Sequence, residues 1–144
     1  MNICDKLRAG VTTDSAEETR QLAAELAAVL PPAATLALDG DMGVGKTTFV
    51  QGLARGLGIT EPVTSPTFAI YSVHRGKGRP LIHLDAYRLE NGQQVESLLL
   101  EEYLVSPYCL AVEWPEKIAD WLPAETWHLT LSIEEGHRHK LVLR

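Results

Sequence analysis

An α/β fold, with a mainly parallel sheet flanked by helices and a C-terminal antiparallel hairpin at one edge, follows from three observations on this 144-residue chain. Short, nearly continuous apolar runs of strand length occur at 34–39, 81–85 and 109–113. A parallel strand buried on both faces reads as such a run, whereas a half-exposed strand alternates. Helix-patterned segments lie between these runs, which is the order expected of a sheet covered on both sides. Residues 127–133 do alternate, turn at Glu135 and Gly136, and are answered by 140–143, which gives the hairpin.

Along the chain, Asp14 and Glu17 have capping-box spacing, and Leu22, Leu26 and Val29 recur at helical intervals until Pro31 and Pro32. The strand at 34–39 leads into a glycine-rich stretch at 40–45, then into a helix over 46–57 that stops at Gly58. The run TFAIYSV at 67–73 is rich in β-branched and aromatic residues and predicts a strand; 75–80 predicts a turn. Residues 93–104 read as helical, and 116–122 as a short helix before Pro123. Repeats, low-complexity tracts and linkers are absent, so one domain over 1–144 is expected, large enough to bury roughly two-thirds of its unfolded surface.

Composition narrows the function. Hydrophobic residues make up 45% and charged residues 22% of the chain, and no apolar run approaches the ~18 residues of a membrane span. Residues 1–10 mix charges and lack an apolar signal segment. Cys4 and Cys109 lie far apart, as free thiols in a reducing compartment do, so a cytoplasmic location and no membrane partner are expected. The net charge is −6, whereas a domain that grips nucleic acid alone usually carries a basic excess. Arg75, Lys77 and Arg79 read as a solvated hairpin turn, and His137, Arg138, His139 and Lys140 as the exposed start of the last strand. Binding to DNA, or to RNA unaided, is not expected.

The segment Gly40-Asp41-Met42-Gly43-Val44-Gly45-Lys46-Thr47 fits G-x-x-x-x-G-K-[ST] at every fixed position. The competing reading, a glycine-rich turn that binds nothing, is disfavoured by the strand before it and the helix after it. Glycines let the backbone wrap with its N–H groups inward, and the helix adds its own unpaired N–H groups and positive dipole end. The pattern is that of a P-loop NTPase, with ATP and Mg²⁺ as cofactors. Nucleotide contacts are expected from Asp41, Gly43, Val44, Gly45, Lys46, Thr47 and Thr48, the Asp41 side chain itself facing solvent. Lys46 is placed over the β- and γ-phosphates, Thr47 on the metal and Thr48 on the α-phosphate.

Such a loop needs a second contact to its metal, usually an Asp at the end of a neighbouring strand. Asp85 and Glu113 each end a predicted strand, and ligands of open α/β sheets bind beyond those ends. Asp85 is the Mg²⁺ candidate, directly or through water, and Glu113 is left to orient or deprotonate an attacking water. Surface carboxylates that merely end strands are the alternative. Asp39 is expected only to support the turn. His83 shares a strand face with Asp85, and a place near the metal and a core position both suit it.

Four blocks carry a resemblance: GDMGVGKTTFVQGLARGLG at 40–58, VTSPTF at 63–68, HLDAYRL at 83–89 and CLAVEWPE at 109–116. In this order and spacing the chain resembles the bacterial TsaE family of tRNA threonylcarbamoyladenosine biosynthesis ATPases, from about Thr13 onward. The resemblance implies ATP hydrolysis in support of the TsaB and TsaD proteins, with tRNA met indirectly through that assembly. It implies a switch segment containing Ser65 and Thr67, with Thr67 a possible metal or phosphate contact, a metal-side Asp85, and a catalytic Glu113 that also stands near the metal and is paired with the adjacent Trp114, with Lys46 the second catalytic residue. From the residues alone, Trp114 followed by Pro115 reads as a strand exit with a packing aromatic. Leu99 departs from the family's usual glycine. Met42 and Val44 are mild variations within the loop. A P-loop small-molecule kinase is the first alternative, although no insertion stands out to supply an arginine-bearing lid. A GTP switch is the second, and no N-K-x-D stretch is present for guanine.

Overall fold

The computed structural model describes residues 1–41, 43–66 and 69–144. Met42, Thr67 and Phe68 lie outside the described residues, and with them the expected switch role of Thr67 and the start of the strand at 67.

The chain opens with helix α1 (Ile3–Ala9) and strand β1 (Val11–Thr13), neither of which was expected. The signals are short. Asn2 caps the helix by accepting a hydrogen bond from the Asp5 N–H at 2.8 Å, and Ile3 and Leu7, one turn apart, are buried. Helix α2 (Ala16–Ala27) begins one residue later than its predicted box. Ser15, not Asp14, is the cap, accepting from the Glu18 N–H at 3.1 Å. The Glu18 carboxylate reaches back to the Asp14 N–H at 2.7 Å. Glu17 is thereby free to face α3 (Lys46–Gly56), where it meets Arg55 through two contacts of 2.6 and 3.1 Å.

The strands β2 (Ala33–Asp39), β3 (Tyr71–His74), β4 (Leu81–Asp85), β5 (Tyr108–Glu113), β6 (Trp127–Glu134) and β7 (Arg138–Leu143) join β1 in one sheet. Its order is β1-β7-β6-β2-β5-β4-β3. The middle, β6-β2-β5-β4, is parallel, and antiparallel pairs flank it on both sides. The sheet is therefore mixed, where a mainly parallel one was expected. On one side β3 reaches β4 through the short link 75–80, half the length that a parallel crossover needs. On the other, β6 and β7 form a hairpin, but β1 adds outside β7 and takes the edge.

Three further expectations are corrected. β3 begins at Tyr71, and Ala69 and Ile70, expected within it, lie outside it, Ile70 at φ 68°, beyond the pleated region. The helix expected over 93–104 is only α4 (Gly92–Glu96), followed by a 3₁₀ turn at Leu100–Glu102. Leu99 breaks it, in the left-handed conformation at φ 56°, ψ 47°. The helix expected over 116–122 is a 3₁₀ turn at Pro115–Ile118.

Alternate residues of the central strands feed two cores. Leu36, Leu38, Leu81, Cys109 and Ala111 pack under α1, α2 and α3 with Leu26, Phe49 and Leu53. Ile82, Leu84, Leu110 and Val112 pack on the other face with Leu89, Val95, Leu100 and Ile118. Arg79 is no solvated turn charge. Its guanidinium donates to the carbonyls of Pro31, Leu30 and Tyr108, closing the end of α2 over the sheet. Among the described residues no helix is long and apolar enough to cross a membrane.

Candidate functional site

The glycine-rich loop joins β2, in the middle of the sheet, to α3. Gly45 caps α3 at φ 95°, ψ 22°, a conformation that glycine adopts without strain, and among the described residues no side chain caps the helix. The first helical bond runs from the Phe49 N–H to the Gly45 carbonyl at 2.9 Å. The N–H groups of Lys46, Thr47 and Thr48 thus lack helical acceptors, and these residues line an open cavity of about 490 Å³. That volume suits a small organic ligand. Gly40 is needed for a different reason: a Cβ there would stand 2.6 Å from the Leu131 carbonyl oxygen on β6.

Lys46 is buried, its ammonium donating to the Gly40 carbonyl at 2.7 Å. The same ammonium lies 3.8 Å from the centroid of the Trp114 ring. Desolvation pulls its pKa below the ordinary 10.5, against the opposing pull of Glu113 and Asp85. Trp114 leaves β5 at φ 57°, ψ 51°, which turns its ring back over the loop. Tyr87 packs on that ring with centroids 5.2 Å apart.

Asp85 and Glu113 are direct neighbours in the β4–β5 register, so both end beside the loop on the α3 face. The Tyr87 N–H donates to Asp85 Oδ1 at 3.0 Å, leaving the second oxygen free of that bond. Glu113 is 5% exposed, and its Oε2 meets Nε2 of the fully buried His83 at 2.5 Å. An ionised carboxylate only accepts, so Nε2 carries the hydrogen. His83 Nδ1 has no hydrogen-bond partner among the described residues. The tautomer with its hydrogen on Nε2 and Nδ1 bare satisfies both facts.

Gly43, Gly45, Lys46, Thr47, Thr48, Ser65, Asp85 and Glu113 therefore surround one cavity, although they come from four separate stretches of chain. Asp41 and Val44 lie on the other flank of the loop, facing Leu131 to Ile133 of β6. Two contributors go beyond the sequence expectations: Tyr87 has no role among them, and His83 suits two. The HLD spacing, which puts His83 and Asp85 on one strand face, was the available signal for His83.

The donor set fits a hard divalent cation that arrives with phosphates. Among the described residues no group of three or more His, Cys, Asp or Glu side chains is placed to hold a metal alone. A hydroxyl at Thr47 and carboxylates at Asp85 and Glu113 match the one or two protein carboxylates that Mg²⁺ takes beside waters and phosphate oxygens.

Fold and site together define a mixed α/β protein whose glycine loop and two strand-end carboxylates share one cleft. A family model described as threonylcarbamoyl adenosine biosynthesis protein TsaE matches residues 13–141. The chain is 42% identical to the tRNA threonylcarbamoyladenosine biosynthesis protein TsaE of Bacillus subtilis over 119 residues, covering 83% of this chain and 74% of that protein. It is 45% identical to the protein of the same name from a Nostoc species over 127 residues, covering 85% and 77%. The crystal structure of Bacillus subtilis YdiB superposes with a TM-score of 0.75 at 36% identity, covering 92% of this chain and 81% of that one. The chain belongs to the TsaE family of tRNA threonylcarbamoyladenosine biosynthesis proteins.

Proposed function

We propose that this protein is a P-loop ATPase of the tRNA threonylcarbamoyladenosine pathway, acting in the cytoplasm with TsaB and TsaD and meeting tRNA through them. The observation that carries the reading is the convergence of the uncapped start of α3, the Lys46 ammonium and the carboxylates of Asp85 and Glu113 on one cavity. Family membership supports the pathway.

Loop N–H groups and the α3 terminus bind the phosphates as an anion. Lys46 exchanges its Gly40 carbonyl and Trp114 contacts for phosphate oxygens, which restores the solvation its burial removed. Thr47 and Asp85, with Glu113 at the margin, would hold Mg²⁺, which would supply charge neutralisation on the phosphate oxygens. Glu113, with Oε2 fixed by His83, has one oxygen left to orient a water and take its proton. Family membership supports a switch role for the segment holding Ser65, which lines the cavity, and Thr67.

The test is ATP hydrolysis by the protein alone and with purified TsaB, TsaD and substrate tRNA. Stimulation by the partners is expected, and Glu113→Ala should abolish it while leaving ATP affinity within about threefold. Lys46→Ala and Thr47→Ala should weaken binding of Mg–ATP itself. A Glu113→Ala protein that turns over ATP at the parent rate would refute the catalytic assignment. Transfer of labelled γ-phosphate to a metabolite in place of water would move the protein to the kinases.

A further inference from the structure

We infer that His139, on the C-terminal hairpin, is a positioning residue that sets the phosphate-facing conformation of the loop. This rests on the proposed nucleotide-binding role of that loop. His139 lies on β7, 95 residues beyond the loop, with its Nδ1 2.9 Å from the Val44 carbonyl oxygen. A carbonyl can only accept, so Nδ1 donates and carries the hydrogen.

The geometry converts this bond into control of a different group. In a planar trans peptide the C=O and the N–H of the following residue point in opposite directions. Holding the Val44 carbonyl toward the hairpin therefore aims the Gly45 N–H away from it, toward the cavity that Gly45 lines. The ring also stands against the bare face of Gly45, where a Cβ would be 3.5 Å from Nδ1. A glycine-rich loop has many accessible conformations, and one outward anchor removes the peptide flip that would turn this donor away from phosphate.

The same hairpin holds the start of the loop. Gly40 backs directly onto the Leu131 carbonyl of β6. Asp39, the last residue of β2, accepts from the Arg144 guanidinium at 2.9 Å. Both ends of the loop are thus fastened to the hairpin and to Arg144, which directly follows it. His139 is the contact that fixes a peptide plane.

The test uses the full chain and reads ATP and ADP affinity by calorimetry beside thermal unfolding. His139→Leu keeps a similar shape and removes the donor, whereas His139→Asn keeps an N–H near the Nδ1 position. Loss of one orienting hydrogen bond should weaken both nucleotides about three- to tenfold in His139→Leu. His139→Asn should recover to within about twofold of the parent. Parent-like affinity in His139→Leu would overturn the inference, as would equal weakness in both variants, since ring packing and not the donor would then matter. A parent that binds neither nucleotide would instead overturn the proposed function. Independently of any variant, long-range ¹⁵N spectra of the intact protein should show a proton on His139 Nδ1; a ring bare at Nδ1 overturns the inference.

Discussion

Replacing Gly52 by alanine tests whether the spacing of α2 and α3 is set by direct backbone contact. Gly52 sits in the middle of α3, where Ala is ordinarily favoured over Gly by about 1 kcal/mol. Here an added Cβ would stand 2.4 Å from the Arg20 carbonyl oxygen and 2.6 Å from the Ala23 Cβ, both on α2. Ordinary contact begins near 3.4 Å, so α2 must withdraw by about 1 Å, and the obstacle is backbone that no rotamer change relieves. Overpacking of this kind costs about 1–3 kcal/mol, and the rigid neighbour places it at the upper end. After the propensity gain, a net loss of about 1–2 kcal/mol remains, equivalent to a Tm lower by about 3–7 °C for a domain of this size. Urea unfolding followed by circular dichroism reads it as a lower midpoint at unchanged slope. Gly56, whose Cβ would meet the Ala24 carbonyl oxygen at 2.7 Å, should behave alike, and the double variant should cost less than the sum because one withdrawal of α2 relieves both. A Gly52→Ala protein as stable as the parent, or more so, would refute the close-contact account.

Other expectations follow from single residues. The pKa of Lys46 is lowered chiefly by desolvation, and phosphate favours its charged form, so ATP affinity should fall, with proton uptake on binding, as pH rises through the alkaline range below 10.5. Lys46→Arg, which keeps its charge there, should not show that decline in calorimetry. The same depressed pKa makes the unfolded chain the better proton binder in that window, so the contribution of Lys46 to stability rises with pH across it. Burial pushes the Cys109 thiol up to about 12, whereas Cys4 is partly exposed; a disulfide reagent should therefore titrate one thiol in the native protein and two after denaturation. Leu99 is exposed and left-handed, which costs about 1–2 kcal/mol for a side-chain residue, set against about 0.4–1 kcal/mol of unfolded-chain entropy for glycine. Leu99→Gly should accordingly raise Tm by about 1–3 °C and Leu99→Val should lower it, measured by calorimetric scanning.

Pieces whose signature is local are legible in the amino-acid order alone. A short, mostly apolar run ending in Asp, an eight-residue glycine motif, and a helix closed by glycine each carry their pattern within one element. For that reason β2, α3, β4 and β5 fall where the periodicity puts them, and both strand-end carboxylates are legible. Where local signals conflict with their surroundings, the reading failed. Residues 93–104 have helical composition, yet Leu99 adopts a conformation that no helix contains. β1 has three residues and no period, and exists because β7 offers it an edge.

Only the tertiary structure decided how the pieces meet. The register that sets Asp85 beside Glu113, the hydrogen bond from His83 to Glu113, the Trp114 ring over Lys46 and the His139 anchor on Val44 all join residues far apart in the chain. Such contacts leave no periodic trace, because a histidine that braces a loop and one that faces water occupy the same strand position in sequence. What separates them is which neighbour the sheet order supplies, and that order is fixed by the cooperative burial of two cores, not by any segment alone.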